Sequence, residues 1–456
     1  MKAVAWCAKD TLKVETVADP RILNPRDAIL RVTATTVCGS DLHLVGGYIP
    51  TLLPGDIIGH EFMGEIVEVG PAVKNLRPGD RVVVPSFIGC GACFFCTHQM
   101  WSLCDNSNPN AWMAEGMMGY SPGGIYGYTH MLGGYAGSFA EYVRIPFADV
   151  NPLKVPRDGL RDEQLLFISD AFPTGCMGAD FCDIQPGSVI AVWGAGAVGL
   201  FAMKSAKLLG AERVIAIDRY PERLRLAREH FGADDVINYE EQPDVVEALK
   251  ERTAGRGPDG CIDAVGMEAD GPGPDDLFDR AKQALRVTGQ LERIHVVREA
   301  ILACRKGGVV AILGVYVGFP DKLPLGAAMN KGLTIKTAQQ HGQRYAGRLL
   351  EHVQRGDVDP GRVATHHFSL DQVARAYTTF KNKEDGCIRT VLRPWSDRGS
   401  AQDAPPQRPG IGGPGSTGQR AAGGCNATHL GGRAPGWSLL GRPCSPTLDA
   451  ERAAPW

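Results

Sequence analysis

The stretch "GSVIAVWGAGAVGLFAMKSAKLLGAERVIAIDR", Gly187 to Arg219, decides how this chain folds. After Ser188 a short apolar run, "VIAVW", reads as a buried strand, and the Gly-rich turn "GAGAVG" follows at once. An amphipathic run from about Ala197 to Leu209 is expected to be a helix, and a second apolar strand ends at Asp218. Strand, glycine turn, helix and strand make the βαβ unit of a parallel sheet. Gly194, Gly196 and Gly199 fit G-x-G-x-x-G in this context. The first two permit the turn and let a pyrophosphate approach the helix N-terminus; the third lets helix pack on strand. Asp218 stands where a carboxylate bonds ribose hydroxyls and repels a 2′-phosphate, which favours NAD. Arg219, next to it, is the competing signal for NADP.

Outward from this unit the chain changes character. "GCIDAVG" and "GGVVAILGV" extend the parallel sheet. Before it, "AILRVTATTV", "GEIVEVG" and "DRVVVPSF" are short β-like runs separated by Gly and Pro, which predict a β-rich, barrel-like domain. After it come one helix and a last strand, "CIRTVLRP". The expected organisation is therefore a first domain over 1–171, the parallel-sheet domain over 172–337, a third piece over 338–394 and a tail over 395–456. The tail is rich in Gly, Pro, Arg and Ser without apolar periodicity and is expected to be disordered.

Composition narrows the function. The 456 residues are 44% hydrophobic and 22% charged with a formal net charge of −3, so nothing draws the chain to nucleic acid or to an anionic membrane. Charges at Lys2, Lys9, Asp10 and Lys13 break up any signal-peptide core, and no run of about 20 apolar residues occurs. A cytoplasmic protein acting on small molecules is expected. Thirteen cysteines, an odd number in a long chain, do not suggest a disulfide framework. In a reducing compartment "GCGACFFCTHQMWSLC" reads as a metal clip: Cys90, Cys93, Cys96 and Cys104 follow C-x2-C-x2-C-x7-C, four thiolates with no vacancy, which suits a structural zinc.

A second metal set is offered by "TTVCGSDLHLVGG", "PGDIIGHEFMGEIVEVG" and "ISDAFPTG". Cys38, His60 and Asp170 are ligand types zinc accepts with a fourth position left for water or substrate. Glu61 could ligate transiently or support His60, while Ser40 and His43 could relay a proton.

These motifs, in this order, resemble the zinc-dependent medium-chain dehydrogenase/reductase family, the alcohol dehydrogenase superfamily, over Met1 to about Pro394. "SDAFPTG" and the long segment from Met267 to Val297 are similar to the glutathione-independent formaldehyde dehydrogenase branch. The resemblance implies an α/β fold, a GroES-like β-barrel catalytic domain in two sequence pieces around a Rossmann domain with a doubly wound parallel sheet. It implies two zinc ions per subunit, one catalytic and one structural, NAD as cofactor, and a dimer or tetramer. It also implies that Phe87 and Thr174 line the substrate pocket, with core packing the competing reading of Phe87, and that Val198 and Arg223 touch the cofactor. The expected reaction is hydride transfer to NAD from a small alcohol or a hydrated aldehyde, formaldehyde favoured, with zinc acting on the substrate oxygen. A polyol or threonine dehydrogenase is the alternative within the superfamily. A dismutase is another, if the segment Met267 to Val297 covers the cofactor so that NAD cannot leave; a surface helix with a Pro/Gly-rich loop is the simpler reading of that segment.

Overall fold

The computed structural model describes residues 1–267, 293–316 and 322–396. Most of the long segment after Met267, with the expectation of a cover over the cofactor, lies outside the described residues, as does the tail from residue 397 on.

The first domain opens with a hairpin, β1 (Lys2–Ala8) and β2 (Thr11–Thr16). The strands β3 (Ala28–Thr36), β4 (Glu61–Val69), β5 (Arg81–Val84), β6 (Tyr142–Ile145) and β7 (Leu153–Lys154) follow. Their loops carry the short helices α1 (Gly39–Val45), α2 (Phe94–Thr97) and α3 (Ala111–Met118). Helices α4 (Asp162–Leu166) and α5 (Ala171–Phe181) lead out of this domain.

The parallel sheet comes next. It comprises β8 (Val189–Trp193), β9 (Arg213–Asp218), β10 (Asp235–Asn238), β11 (Gly260–Asp263), β12 (Val309–Ile312) and β13 (Thr334–Thr337). Helices α6 (Ala197–Leu208), α7 (Pro221–His230), α8 (Val245–Arg252), α9 (His295–Ala303) and α10 (Leu325–Lys331) connect these strands. The strand order β10-β9-β8-β11-β12-β13 reverses direction of progression between β8 and β11, and such a switch point leaves a crevice beyond the strand ends. Local chemistry sets the boundaries. Helix α7 opens with Pro221, whose missing N–H costs nothing at a first helical position. Asp244 caps α8 by accepting the N–H of Glu247 at 2.9 Å.

The chain then returns to the first domain. Helices α11 (Gly342–Gln354) and α12 (Val373–Asn382) flank β14 (Ala364–Ser369), and β15 (Arg389–Arg393) closes the fold. The larger sheet runs β14-β15-β3-β4-β5-β7, with β6 also on β3. Strand β3 is buried along most of its length and serves three antiparallel partners. Its end pairs with both β4, Thr36 opposite Glu61, and β15, Val391 opposite Thr36. Those two registers gather the functional side chains. Trp395, which the sequence reading assigned to the tail, donates its indole N–H to Val32 O at 2.8 Å and packs edge-on against Tyr142.

One core joins the two domains. Phe201 on α6 stacks on Phe172 of α5 with ring centroids 4.6 Å apart and meets Phe231 edge-on at 5.7 Å. All three rings are buried. The helix that follows Asp170 is thus packed directly on the helix that follows the glycine turn.

Candidate active site

Cys38 ends the β3 run and precedes α1, so the short helix sets Ser40, Asp41 and His43 beside it. Strand pairing brings His60 and Glu61 alongside, and the Cys38 sulfur, a His60 ring nitrogen and a Glu61 carboxylate oxygen lie within 4.8 Å of one another. Asp41 is fully buried; its Oδ2 accepts the Cys38 N–H at 2.8 Å and its Oδ1 faces His60 Nδ1 at 3.3 Å. A carboxylate on one ring nitrogen fixes the imidazole and leaves Nε2 for a metal. Ser40 Oγ stands 3.2 Å from that Nε2. From β15, Arg389 pairs with Glu61 Oε1 at 3.1 Å and donates to Val37 O at 2.6 Å.

The electrostatics follow from this packing. Burial pushes the Cys38 thiol up, but Arg389 and His60 more than offset it and bring its pKa down to about 6. For His60, burial works against the charged form, and Asp41 and Cys38 outweigh it, so its pKa is raised. Glu61 is raised by burial despite Arg389.

Asp170 stands outside the 4.8 Å group but lines the same cavity. Its Oδ2 accepts from Ser86 Oγ, its Oδ1 accepts from Thr174 Oγ1 at 3.0 Å, and Ser86 Oγ in turn accepts from Gln340 Nε2 at 2.6 Å. The close three-ligand group is therefore Cys38, His60 and Glu61, with Asp170 held aside by hydroxyl donors. The donor set fits zinc. Thiolate, imidazole and carboxylate are all zinc ligands, and Glu61 Oε2 is buried with no hydrogen-bond partner among the described residues. Such an orphan costs roughly 1–3 kcal/mol, which coordination would relieve.

The second cysteine set also has metal geometry. The Cys90, Cys93, Cys96 and Cys104 sulfurs lie within 4.8 Å of one another, with Cys90 to Cys96 at 4.0 Å and Cys93 to Cys104 at 3.8 Å. Those separations are far beyond a disulfide bond of about 2.05 Å. They match the edge of about 3.8 Å of a tetrahedron with zinc–sulfur bonds of about 2.3 Å. Backbone N–H groups of Ala92 and Cys93 donate to Cys90 Sγ at 3.4 and 3.3 Å, as thiolates require.

A cavity of about 940 Å³ joins the first metal set to the switch point of the parallel sheet. Gly194, Gly196, Val198, Asp218, Arg219 and Arg223 line it. Gly194 has φ +88°, and a Cβ on Gly199 would sit 1.7 Å from Gly194 O, so Gly199 acts through helix–turn packing and is not part of the lining. Asp218 braces the turn: its Oδ2 accepts the Ala195 N–H at 2.6 Å and its Oδ1 accepts the Arg219 and Tyr220 N–H groups at 2.7 and 3.0 Å. The Arg219 and Arg223 guanidinium groups each lie 5.0 Å from the Tyr220 ring centroid. His43, Phe87 and Thr174 line the cavity as well, and the Thr174 hydroxyl is committed to Asp170.

Sequence reasoning missed Asp41, Ser86, Tyr128, Gln340 and Arg389. Tyr128 lines the cavity with its ring edge-on to His60 at 5.9 Å. Asp41 had a local signal, its place three residues after Cys38. Arg389 had none.

Comparison with known proteins agrees with this architecture. Residues 24–156 match the alcohol dehydrogenase GroES-like domain, and residues 197–292 match the zinc-binding dehydrogenase domain. An uncharacterized zinc-type alcohol dehydrogenase-like protein of Bacillus subtilis is 40% identical over 86% of this chain and 100% of its own length. The glutathione-independent formaldehyde dehydrogenase of the same organism is 33% identical over 83% of this chain and 94% of its own. Among solved structures, the alcohol dehydrogenase TADH from Thermus sp. ATN1 is 34% identical, with a TM-score of 0.71 over 86% of this chain and 99% of its own.

Proposed function

We propose that this chain, which belongs to the zinc-type medium-chain alcohol dehydrogenase family, oxidises alcohols and hydrated aldehydes, formaldehyde among them, with NAD as hydride acceptor. The observation that carries the reading is one cavity holding both the Cys38, His60, Glu61 and Asp170 donors and the glycine turn with Asp218.

A zinc ion held by Cys38, His60 and either carboxylate would supply Lewis acidity that favours loss of the substrate's hydroxyl proton. Ser40 Oγ, which lines the cavity with His43, would accept that proton and pass it toward His43. Asp41 holds the His60 ring in its tautomer, and Arg389 balances Glu61 so that the buried acid can stay near the metal. Ser86 and Thr174 orient Asp170. The Asp218 carboxylate at the end of β9 favours a ribose with free hydroxyls, hence NAD over NADP. The four-cysteine loop, remote from this chemistry in its ligand set, would hold a structural zinc.

The formaldehyde reading draws support from the formaldehyde dehydrogenase relative and from Asp170 in "SDAFPTG". A cytoplasmic location suits eleven free cysteines among the described residues. No described helix is long and apolar enough to cross a membrane. A homo-oligomer is part of the proposal: β13 is an edge strand, and Leu325, Met329 and Ile335 on or near it are exposed.

The test supplies labelled formaldehyde and NAD to the zinc-loaded protein without glutathione and quantifies formate, methanol and NADH together. Formate matched by NADH is the expected outcome. Formate matched by methanol would mean dismutation, and no formate from a protein carrying zinc would remove formaldehyde from the substrate range.

A further inference from the structure

Both metal sets are gripped by one short strip, Gln339 to Gln343, where the chain enters α11. Ser102, in the loop between Cys96 and Cys104, donates its hydroxyl to Gln339 O at 3.0 Å and meets His341 Nδ1 at 3.0 Å. A serine hydroxyl has one proton, so the imidazole is the donor in the second contact. At the other end of the strip, Gln343 Nε2 donates to Phe87 O at 2.8 Å and to Asn151 Oδ1 at 3.0 Å. Asn151 Oδ1 also accepts the N–H of Gly89, the neighbour of Cys90, at 2.8 Å. The backbones leading into Cys90 and Cys104 are therefore both tied to the strip.

Between these ties sits Gln340, only 3% exposed. Its Nε2 faces the carbonyl of Ser169, which precedes Asp170, at 3.4 Å. A carbonyl only accepts, so the amide nitrogen and not the oxygen is turned this way, and the same nitrogen donates to Ser86 Oγ at 2.6 Å. With a donor on its oxygen, Ser86 gives its single proton to Asp170 Oδ2. Ser86 and Ser169 are fully buried, so bulk water does not compete for these groups. Gly342 makes room for the arrangement: a Cβ there would lie 2.4 Å from Gln340 Oε1 and 2.8 Å from the Pro85 Cβ. Resting on the two-zinc reading above, we infer that the metal sites are coupled through this strip, with Gln340 as a positioning residue. A filled four-cysteine loop fixes Ser102 and Gly89, the strip carries that order to Gln340, and Gln340 commits the Ser86 proton to Asp170. The Asp170 carboxylate is thereby held in one orientation in the cavity it shares with Cys38 and His60.

The experiment is chelator competition with zinc counting on the full-length, zinc-loaded protein, on Gln340→Met, on Ser102→Ala and on the double variant. Methionine keeps the length of the side chain and removes the donor. Gln340→Met should weaken the catalytic zinc by about 10- to 100-fold, the effect of losing a partner that orients a ligand, and leave the structural step in place. Ser102→Ala touches no ligand of the Cys38 set, yet should weaken the catalytic zinc in the same direction by a smaller factor. The double variant should hold that zinc no more weakly than Gln340→Met alone, because both changes act along one path. Cobalt added after the first chelation step supplies a signature that a folding defect does not: its d–d absorption should differ between Gln340→Met and the native protein at equal occupancy. Catalytic steps that superimpose on the native curve, an unchanged cobalt spectrum, or single effects that multiply in the double variant overturn the coupling. If Gln340→Met does not fold, Ser102→Ala decides alone: a weaker catalytic step supports the coupling and an unmoved one overturns it. No readout depends on turnover, so a native protein that forms no NADH from any alcohol or aldehyde would remove the dehydrogenase reading and leave the coupling to the metal counts.

Discussion

Replacing Asp41 by Asn should empty one metal site and leave the other intact. The Asp41 carboxylate is fully buried, 3.3 Å from His60 Nδ1, and also accepts the Cys38 N–H, so it orders two of the ligands. A charge pair at that distance is worth about 5 kcal/mol at an effective dielectric of about 20. Desolvation of a buried carboxylate offsets most of this. Asn keeps the size and one acceptor, so the residual effect is that of an outer partner of a ligating histidine, about 10- to 100-fold in metal affinity. That range is about 1.4–2.8 kcal/mol. The assay is chelator competition followed by mass-spectrometric zinc counting. The native protein is expected to release two zinc ions in separate steps; in Asp41→Asn only the weaker-held catalytic step should move to lower chelator concentration. The four-cysteine loop, with no Asp41 atom near its ligand set, is the internal control. Chelation curves that superimpose for the two proteins would refute the role of Asp41, and a shift of both steps would show a global defect.

Other expectations follow from the same structure. Phe201→Ala removes a buried ring that meets Phe172 and Phe231, and should lower unfolding free energy by about 3–5 kcal/mol, read from the denaturant midpoint at unchanged slope. His341, held by Ser102 Oγ at 3.0 Å, has its pKa pushed from 6.5 to about 4 by burial and by Arg344. The unfolded chain therefore binds its proton first, so stability present above pH 6.5 should fall as pH drops toward 4, by up to about 3 kcal/mol. His341→Gln should show a shallower loss over that window in chemical denaturation. Asp218→Asn removes the charge and one of the two oxygens that accept turn N–H groups, and should narrow the preference for NAD over NADP by about tenfold in kcat/KM.

The parts legible in the sequence were those in which neighbouring residues carry the physics. The strand "VIAVW", the glycine turn and the helix after it stand where their periodicity places them, because one βαβ unit is nearly self-contained. The four cysteines were readable because ligand spacing in one loop is itself the geometry. The Cys38 site was legible only in half. Cys38, Ser40 and His60 lie near strand ends that short-range patterns locate, but β15 reaches β3 from the far end of the chain, so nothing in the sequence around Glu61 announces Arg389. Likewise the hydroxyls of Ser86 and Thr174, which draw Asp170 outside the tightest donor group, act through packing of α5 that one strand or helix alone does not encode.

The pairing of β15 with β3 has a consequence for biosynthesis. Arg389 donates to Val37 O across 352 residues, and Glu61 is buried against that guanidinium. On the ribosome, at roughly 5–20 residues per second, the first strands wait roughly 20–70 s for this partner. Meanwhile the parallel sheet can close, since its last strand, Thr334–Thr337, is made earlier. During that interval the Glu61 carboxylate lacks the Arg389 guanidinium, and β3 offers an unfilled edge. The nascent catalytic domain is therefore an open sheet awaiting its final strand, and a chain released before Arg389 would display that edge to chaperones and to other copies of itself.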